Sequence, residues 1–158
     1  MTYTQTYSSP LGDILLAAND TSLTGLWFFG AKYFAEGLED EREEKLTPAL
    51  EQTARWLDIY FQGVEPDFTP PLELHGSPFR RRVWAELMKI PYGATVSYGE
   101  IARALGVNSA QAVGGAVGHN PIGIIVPCHR VLGADGSLTG YAGGTDKKMR
   151  LLELEKAK

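Results

Sequence analysis

A proline-rich segment near the middle of this 158-residue chain divides the sequence into two halves. Residues 65–76 contain three prolines and show neither helical nor strand periodicity, which predicts a linker. The charge balance changes there: residues 1–75 carry 13 acidic and 4 basic side chains, whereas residues 76–158 carry 6 acidic and 11 basic ones. We therefore expect two domains, 1–75 and 76–158. The second can approach a polyanion, although a chance fluctuation of surface charge would give the same balance.

Composition places the chain among ordinary globular proteins. Hydrophobic residues make up 44% and charged residues 22% of the sequence, which excludes long disorder and collagen-like structure. No apolar run approaches the roughly 18 residues of a membrane span, and residues 1–10 carry no charged side chain, so we expect neither a span nor a secretory signal. The single cysteine, Cys128, permits no internal disulfide, which favours a soluble, cytoplasmic protein.

The first half has the pattern of a small αβ domain. Alternation or apolar runs predict strands of an antiparallel meander at three places: 3–7, 14–18 and 23–29. The charge-dense segment 36–45 is typical of a solvated helix face or a loop. Thr47-Pro48 then begins a helix that keeps one apolar face until Gly63.

The second half has the signals of a helix-turn-helix. Capping residues indicate three helix starts, at Ser77, at Ser97, and at Asn108 or Ser109. Ser97 and Glu100 fit a capping box, and Gly106 ends the helix that they begin. The third helix spans about 110–118, and a short turn containing glycine joins it to the second. It would be the recognition helix of a DNA-binding protein.

This recognition helix carries almost no large side chains. A helical glycine costs about 0.5–1 kcal/mol relative to alanine, so two adjacent ones need a reason, and close approach of another helix or of a ligand would each supply it. Small residues suit shape-based contact with a narrow groove better than base reading. Five residues are candidates for DNA contact: Ser109, Ala110, Gln111, Gly114 and Gly115.

Cys128 lies in a sequence context that favours catalysis, although a lone cysteine is more often an inert buried residue. It follows a buried, strand-like run at 123–126, stands next to His129, and is preceded by Asn120, whose side chain can hold a turn. A cysteine nucleophile needs a base to form the thiolate. Because neighbours in a strand point to opposite faces, we expect His129 to reach the sulfur through a water.

The base in turn needs an orienting group. The final helix, predicted over 146–156, offers two carboxylates, Glu153 and Glu155, and a solvent-exposed position is possible for both.

Five segments, in this order, closely resemble the methylated-DNA–protein-cysteine methyltransferases, also called O6-alkylguanine-DNA alkyltransferases. They are Ser97-Tyr98, Ala112-Val113-Gly114-Gly115-Ala116, Asn120-Pro121, Pro127-Cys128-His129-Arg130-Val131 and Gly140-Tyr141-Ala142-Gly143-Gly144. The resemblance covers about 79–155 and implies an α+β fold, with an N-terminal ribonuclease-H-like αβ domain and a C-terminal winged helix-turn-helix domain. It implies a DNA repair protein that binds the minor groove, flips out O6-alkylguanine and transfers the alkyl group to its own cysteine, irreversibly and once per molecule. Activity on O4-alkylthymine and the range of alkyl groups stay open.

The resemblance also implies the roles of single residues. Five have catalytic roles: the alkyl acceptor Cys128, its base His129, the orienting Glu155, the turn-holding Asn120 and the proton donor Tyr98. Five bind guanine: the Tyr98 hydroxyl at N3, the carbonyls of Cys128 and Val131 at the exocyclic amine, the Ala142 amide at O6, and the Tyr141 ring as a wall. We expect double-stranded DNA as partner, a monomer, and neither cofactor nor metal. The zinc site of some members cannot form here in its cysteine-containing form, because residues 1–75 contain no cysteine.

Two residues depart from the family pattern. Gln111 stands where an arginine often fills the hole left by the flipped base, so we expect weaker DNA affinity with the transfer chemistry retained. Ala142 stands where some members carry serine. Two other activities are possible: a lesion sensor without transfer, which Cys128 argues against, and a cysteine hydrolase, which leaves the helix-turn-helix unexplained. A third alternative is that Cys128 only fills the core.

Overall fold

The computed structural model describes residues 1–138 and 140–156, which form two sheets and five helices. The elements of the first half are β1 (Thr2–Ser9), β2 (Gly12–Ala18), β3 (Leu23–Phe28), β4 (Arg42–Glu44) and α1 (Pro48–Tyr60). Those of the second half are α2 (Pro78–Leu87), β5 (Val96–Ser97), α3 (Tyr98–Leu105), α4 (Ala110–Gly118), β6 (Val131–Leu132) and α5 (Thr145–Lys156).

The first half is a four-stranded sheet of order β3-β2-β1-β4 with α1 packed on it. Strands β1, β2 and β3 are antiparallel neighbours, which confirms the predicted meander. The segment 36–45 was expected as a helix face or loop, and this is wrong for 42–44, which pair parallel with β1. The charged side chains of β4 are all exposed. Charge predicted that exposure, but not that the free edge of β1 would supply backbone partners.

The linker lies along the other edge of the same sheet. The amide of Leu23 donates to the carbonyl of Pro71 (2.8 Å), and the amide of Glu73 donates to the carbonyl of Leu23 (2.9 Å). The proline-rich segment forms no helix or strand of its own. These two hydrogen bonds with β3 fix the path of its backbone.

The second half contains the helix-turn-helix. Ser97 and Glu100 form both bonds of the capping box at the start of α3, and Gly106 ends α3 in the left-handed conformation (φ 70°). Of the two candidate caps for α4, the structure uses Ser109, whose hydroxyl accepts from the amide of Ala112 (3.0 Å). Strands β5 and β6 pair in parallel beside these helices.

One hydrophobic core runs through both halves. It joins Leu26 of β3 and Leu57 of α1 to Trp84 of α2 and Val113 of α4. The edge strand β3 also exchanges backbone hydrogen bonds with the segment that leads to Cys128: Leu26 donates to Pro121 and accepts from Gly123. The first half is therefore part of the support of the cysteine segment.

Candidate functional site

Cys128 is the first residue of a single 3₁₀ turn, Cys128–Arg130, and does not stand at the end of a strand as expected. In the run 123–126, residues 124–126 are buried as expected and Gly123 is half-buried. The run nevertheless forms turns, with Ile124 at a positive φ of 66°. Apolar composition alone cannot distinguish a buried strand from a buried turn. Cys128 and His129 lie in a turn and not in a strand. The alternation of side chains along a strand is therefore no reason to expect a water between the sulfur and the imidazole.

Asn120 holds this buried turn closed. Its side-chain amide donates to the carbonyl of Val126 (2.8 Å), and its side-chain oxygen accepts from the amide of Ile122 (3.0 Å). Both bonds satisfy buried backbone groups that no regular ladder reaches. Asn120 thereby fixes the backbone that ends at Cys128.

The thiol of Cys128 is buried and has a raised pKa. Burial is the main cause, because it disfavours the thiolate, while hydrogen bonding by Asn120 and the positive charge of Lys148 act in the opposite direction. The thiol is therefore mostly protonated at neutral pH, and nucleophilic attack requires a base.

His129 is fully buried, and its ring is oriented by a carboxylate. Its Nε2 lies 2.6 Å from Oε2 of Glu155 on α5. Glu155 is buried, whereas the competing candidate Glu153 is exposed, so the structure decides between them. Since an ionised carboxylate only accepts, Nε2 carries the proton and Nδ1 keeps its lone pair. Within the described ranges, this Nδ1 has no hydrogen-bond partner.

The Glu155 carboxylate accepts hydrogen bonds from four residues in three separate segments of the chain. Besides His129, it accepts from Nε of Arg130 (2.8 Å), the hydroxyl of Tyr60 (2.7 Å) and the amide of Gly93 (3.3 Å). Burial alone would raise the pKa of Glu155, but the hydrogen bonds from His129, Arg130 and Tyr60 hold it well below its usual range. Burial lowers the pKa of His129. The hydrogen bond and charge of Glu155 act in the opposite direction but do not outweigh it, so the resting pair is a carboxylate and a neutral imidazole.

A small pocket opens beside the sulfur. Its lining includes Cys128, Asn120, Tyr141 and Ala142, together with Phe28 of the first half. The amide of Lys32 donates to the carbonyl of Ala142 (2.9 Å), so the first half also holds this loop. The N–H of Ala142 donates to no acceptor in the described part of the chain and is available to a ligand.

Tyr98 interacts electrostatically with Cys128, and Val131 directly follows the turn that begins at Cys128. Burial raises the pKa of the half-buried Tyr98 hydroxyl, and negative charge on the Cys128 sulfur raises it further when the thiolate forms, so the hydroxyl stays a donor. The carbonyl of Cys128 accepts from the amide of Val131, and the carbonyl of Val131 accepts from Nζ of Lys148. Each carbonyl oxygen has a second lone pair for another donor.

The sequence reasoning missed Lys148 and Tyr60. Lys148 is fully buried, lies 5.9 Å from the centroid of the Tyr98 ring, and has a pKa lowered by burial to about 8. Its position was accessible, because Lys148 and Glu155 are seven residues apart on one helix and therefore share a face. No comparable signal links Tyr60 to Glu155, which are 95 residues apart.

The five candidates for DNA contact form one surface of α4. Ser109, Ala110, Gln111 and Gly115 are exposed, and Gly114 is half-buried. A Cβ added at Gly115 would meet no described atom within 4 Å, and one at Gly114 would make only an ordinary contact with Tyr98 (3.8 Å). Packing within the described part of the protein therefore does not require either glycine.

Across residues 1–138 and 140–156, no group of three or more metal-binding side chains could hold an ion. None of the helices in these ranges is long and apolar enough to cross a bilayer.

Two family models match the chain. One is described as the ribonuclease-like domain of 6-O-methylguanine DNA methyltransferase and matches residues 2–74. The other is described as the DNA binding domain of 6-O-methylguanine DNA methyltransferase and matches residues 78–157.

Individual proteins are similar over nearly the whole length. A methylated-DNA–protein-cysteine methyltransferase of Mycolicibacterium paratuberculosis is 48% identical over 154 residues, which are 96% of this chain and 91% of that protein. The solved structure of Mycobacterium tuberculosis OGT in complex with DNA is 44% identical, covers 98% of this chain and 93% of its own, and gives a TM-score of 0.89. The structure of Mycobacterium tuberculosis O6-methylguanine methyltransferase is 44% identical, covers 99% of this chain and 94% of its own, and gives a TM-score of 0.84.

Proposed function

From its membership of the methylated-DNA–protein-cysteine methyltransferase family, to which both halves of the chain belong, we propose that the protein repairs DNA by transferring the alkyl group of O6-alkylguanine to Cys128. The observation that carries this assignment is the buried set of Cys128, His129 and Glu155 beside the pocket. His129 is oriented by Glu155 and keeps a free lone pair on Nδ1, as a base for the adjacent thiol requires.

The chemistry begins with loss of the thiol proton. It passes through a bridging water to Nδ1 of His129, and the sulfur attacks the alkyl carbon. The new S–C bond forms as the C–O6 bond breaks, and the electron pair of that bond goes to the guanine. The Tyr98 hydroxyl donates towards N3 as this negative charge develops, which its raised pKa allows. The product thioether is stable, so each molecule reacts once.

Recognition of the guanine uses backbone groups of the pocket. The N–H of Ala142 donates to O6, and the carbonyls of Cys128 and Val131 accept from the exocyclic amine. The ring of Tyr141 forms a wall of the pocket. The uncommitted N–H of Ala142 supports this arrangement.

DNA binding uses the exposed face of α4 in the minor groove, through Ser109, Ala110, Gln111, Gly114 and Gly115. The target base is paired and stacked, so it must be flipped into the pocket at a cost of a few kcal/mol. A surface of small residues suits this task, because it contacts the backbone of any sequence. Gln111 would fill the space of the flipped base with less affinity than an arginine.

We also assign domain limits, oligomeric state and location. The proline-rich linker supports limits at 1–75 and 76–158. We also propose that the protein acts as a monomer. A single cysteine that must stay reduced to react supports the reducing cytoplasm.

Intact-protein mass spectrometry tests the proposal. The protein is mixed with a duplex carrying one O6-methylguanine, with Cys128→Ser as control. We expect one added methylene at Cys128, saturating at one per protein, and none in the variant. Lesion binding without a mass change, in protein with reduced Cys128, would instead indicate a sensor. Multiple turnovers would indicate a hydrolase. If the protein neither binds the lesion nor gains mass, Cys128 only fills the core.

A further inference from the structure

Tyr60, the last residue of α1, reaches from the first half into the Glu155 site of the second. Its hydroxyl donates to Oε2 of Glu155 at 2.7 Å. The same oxygen accepts from Nε2 of His129 at 2.6 Å and from Nη2 of Arg130 at 3.2 Å, so three donors share one acceptor atom. Both Tyr60 and Glu155 are almost completely buried.

Packing accounts for the ring of Tyr60 but not for its hydroxyl. The ring stacks on Trp56 (centroids 5.2 Å apart) and meets Phe61 and Tyr92 edge to face, contacts that a phenylalanine would keep. A buried hydroxyl loses its hydrogen bonds to water, and a hydrogen bond to an ionised carboxylate compensates for that loss.

We propose that Tyr60 is a positioning residue of the alkyl transfer: its hydroxyl fixes the Glu155 carboxylate and limits the negative charge that Oε2 offers to His129. The inference rests on the proposed function, in which His129 is the base for Cys128. It extends the site to the first half of the chain. That half would thus contribute a polar group to the catalytic network, and not only the walls and backbone contacts described above.

The sign of the effect follows from the shared oxygen. Each donor on Oε2 withdraws charge, so removal of the Tyr60 hydroxyl leaves more charge for the His129 imidazole and favours its protonated form. The other charged or titratable groups around the pair stay in place. Arg130 binds Glu155 directly, Lys148 faces His129 from α5, and Tyr92 lies near the carboxylate.

The matched control is Tyr7→Phe. Tyr7 also donates through its hydroxyl to a carboxylate, Oδ1 of Asp58 (2.6 Å), and Asp58 lies on α1 like Tyr60. A general loosening of α1 would therefore appear in both variants. Only Tyr60→Phe changes the carboxylate that holds His129.

The experiment follows the ring nitrogens of His129 by ¹⁵N NMR between about pH 4 and 8, in the full chain without DNA. We expect Tyr60→Phe to raise the titration midpoint by about 0.5–1 pH unit and Tyr7→Phe to leave it unchanged. In single-turnover transfer, the acidic limb of the pH–rate profile should move by the same amount, a loss of about 3- to 10-fold at low pH. An unchanged midpoint in folded Tyr60→Phe overturns the proposal.

Site-specific 3-fluorotyrosine at position 60 keeps the inference testable if Tyr60→Phe does not fold. Its more acidic hydroxyl donates more strongly, so the midpoint should fall, and no shift or a rise would overturn the proposal. The NMR measurement needs no alkyl transfer. If the midpoint shifts but no alkyl transfer occurs, the proposed function fails while the effect of Tyr60 on His129 stands.

Discussion

Gly115 offers a direct test of how closely the second helix of the helix-turn-helix approaches DNA. It lies inside α4, is exposed, and has room for a Cβ with no described atom within 4 Å. Gly115→Ala therefore removes the entropic cost of a helical glycine without a clash. We expect the free energy of unfolding to rise by about 0.5–1 kcal/mol. In a protein of this size, Tm should rise by about 1–4 °C.

DNA affinity should change in the opposite direction. If the backbone of α4 lies against the groove, the new methyl group of Gly115→Ala overpacks that contact at a cost of about 1–3 kcal/mol. This corresponds to a Kd about 5- to 150-fold weaker. Urea unfolding and fluorescence anisotropy with a labelled duplex, both at one fixed salt concentration, measure the two effects.

Ala85→Gly is the control, because it makes the reverse exchange at an exposed position of α2. It should lower the free energy of unfolding by about 0.5–1 kcal/mol and leave the Kd unchanged. An unchanged Kd for Gly115→Ala would refute the close approach of α4 to DNA. A loss of stability in that variant would refute the open space around Gly115.

Three further changes probe the site. Lys148→Met removes a positive charge near the thiol, so the pKa of Cys128 should rise further and single-turnover transfer at neutral pH should slow by about tenfold; an equal rate would contradict this role. The pKa of Glu155 is lowered from 4.5 to about 2, so its stabilisation is complete above about pH 4.5 and is lost as the pH falls through about 2. Glu155→Gln should therefore cost about 3 kcal/mol at pH 7 and progressively less in urea unfolding below pH 4, whereas a constant difference would contradict the assignment. Gln111→Arg should tighten the Kd for lesion-containing duplex with little change in the rate at saturating DNA, and our reading of Gln111 fails if neither quantity changes.

Local signals in the sequence predicted local structure well. The caps at Thr47 and Ser97 and the stop at Gly106 were accessible, because each depends on residues within one helical turn. Strand β4 and the turn before Cys128 were not, because both depend on distant partners. The first needs the free edge of β1, and the second is held by β3 through Leu26 in addition to the local hydrogen bonds of Asn120.

The candidate site divides in the same way. Cys128 and His129 are adjacent in the sequence, so their association could be predicted. The resemblance to the family pointed to Glu155 as the orienting carboxylate. The bond from Tyr60 could not be inferred, because no periodicity relates a residue at the end of α1 to one on α5. Tertiary packing alone brings them together.

The cost of burying the Glu155 charge ties the site to the folding of both halves. An ionised carboxylate out of water is strongly unfavourable unless its lone pairs are filled. Here the donors come from Tyr60 on α1, Gly93 after α2, and His129 and Arg130 in the turn at Cys128. No single segment satisfies the carboxylate by itself. The oriented base therefore forms together with the docked first half, and changes that loosen that docking should weaken the base before they unfold the chain.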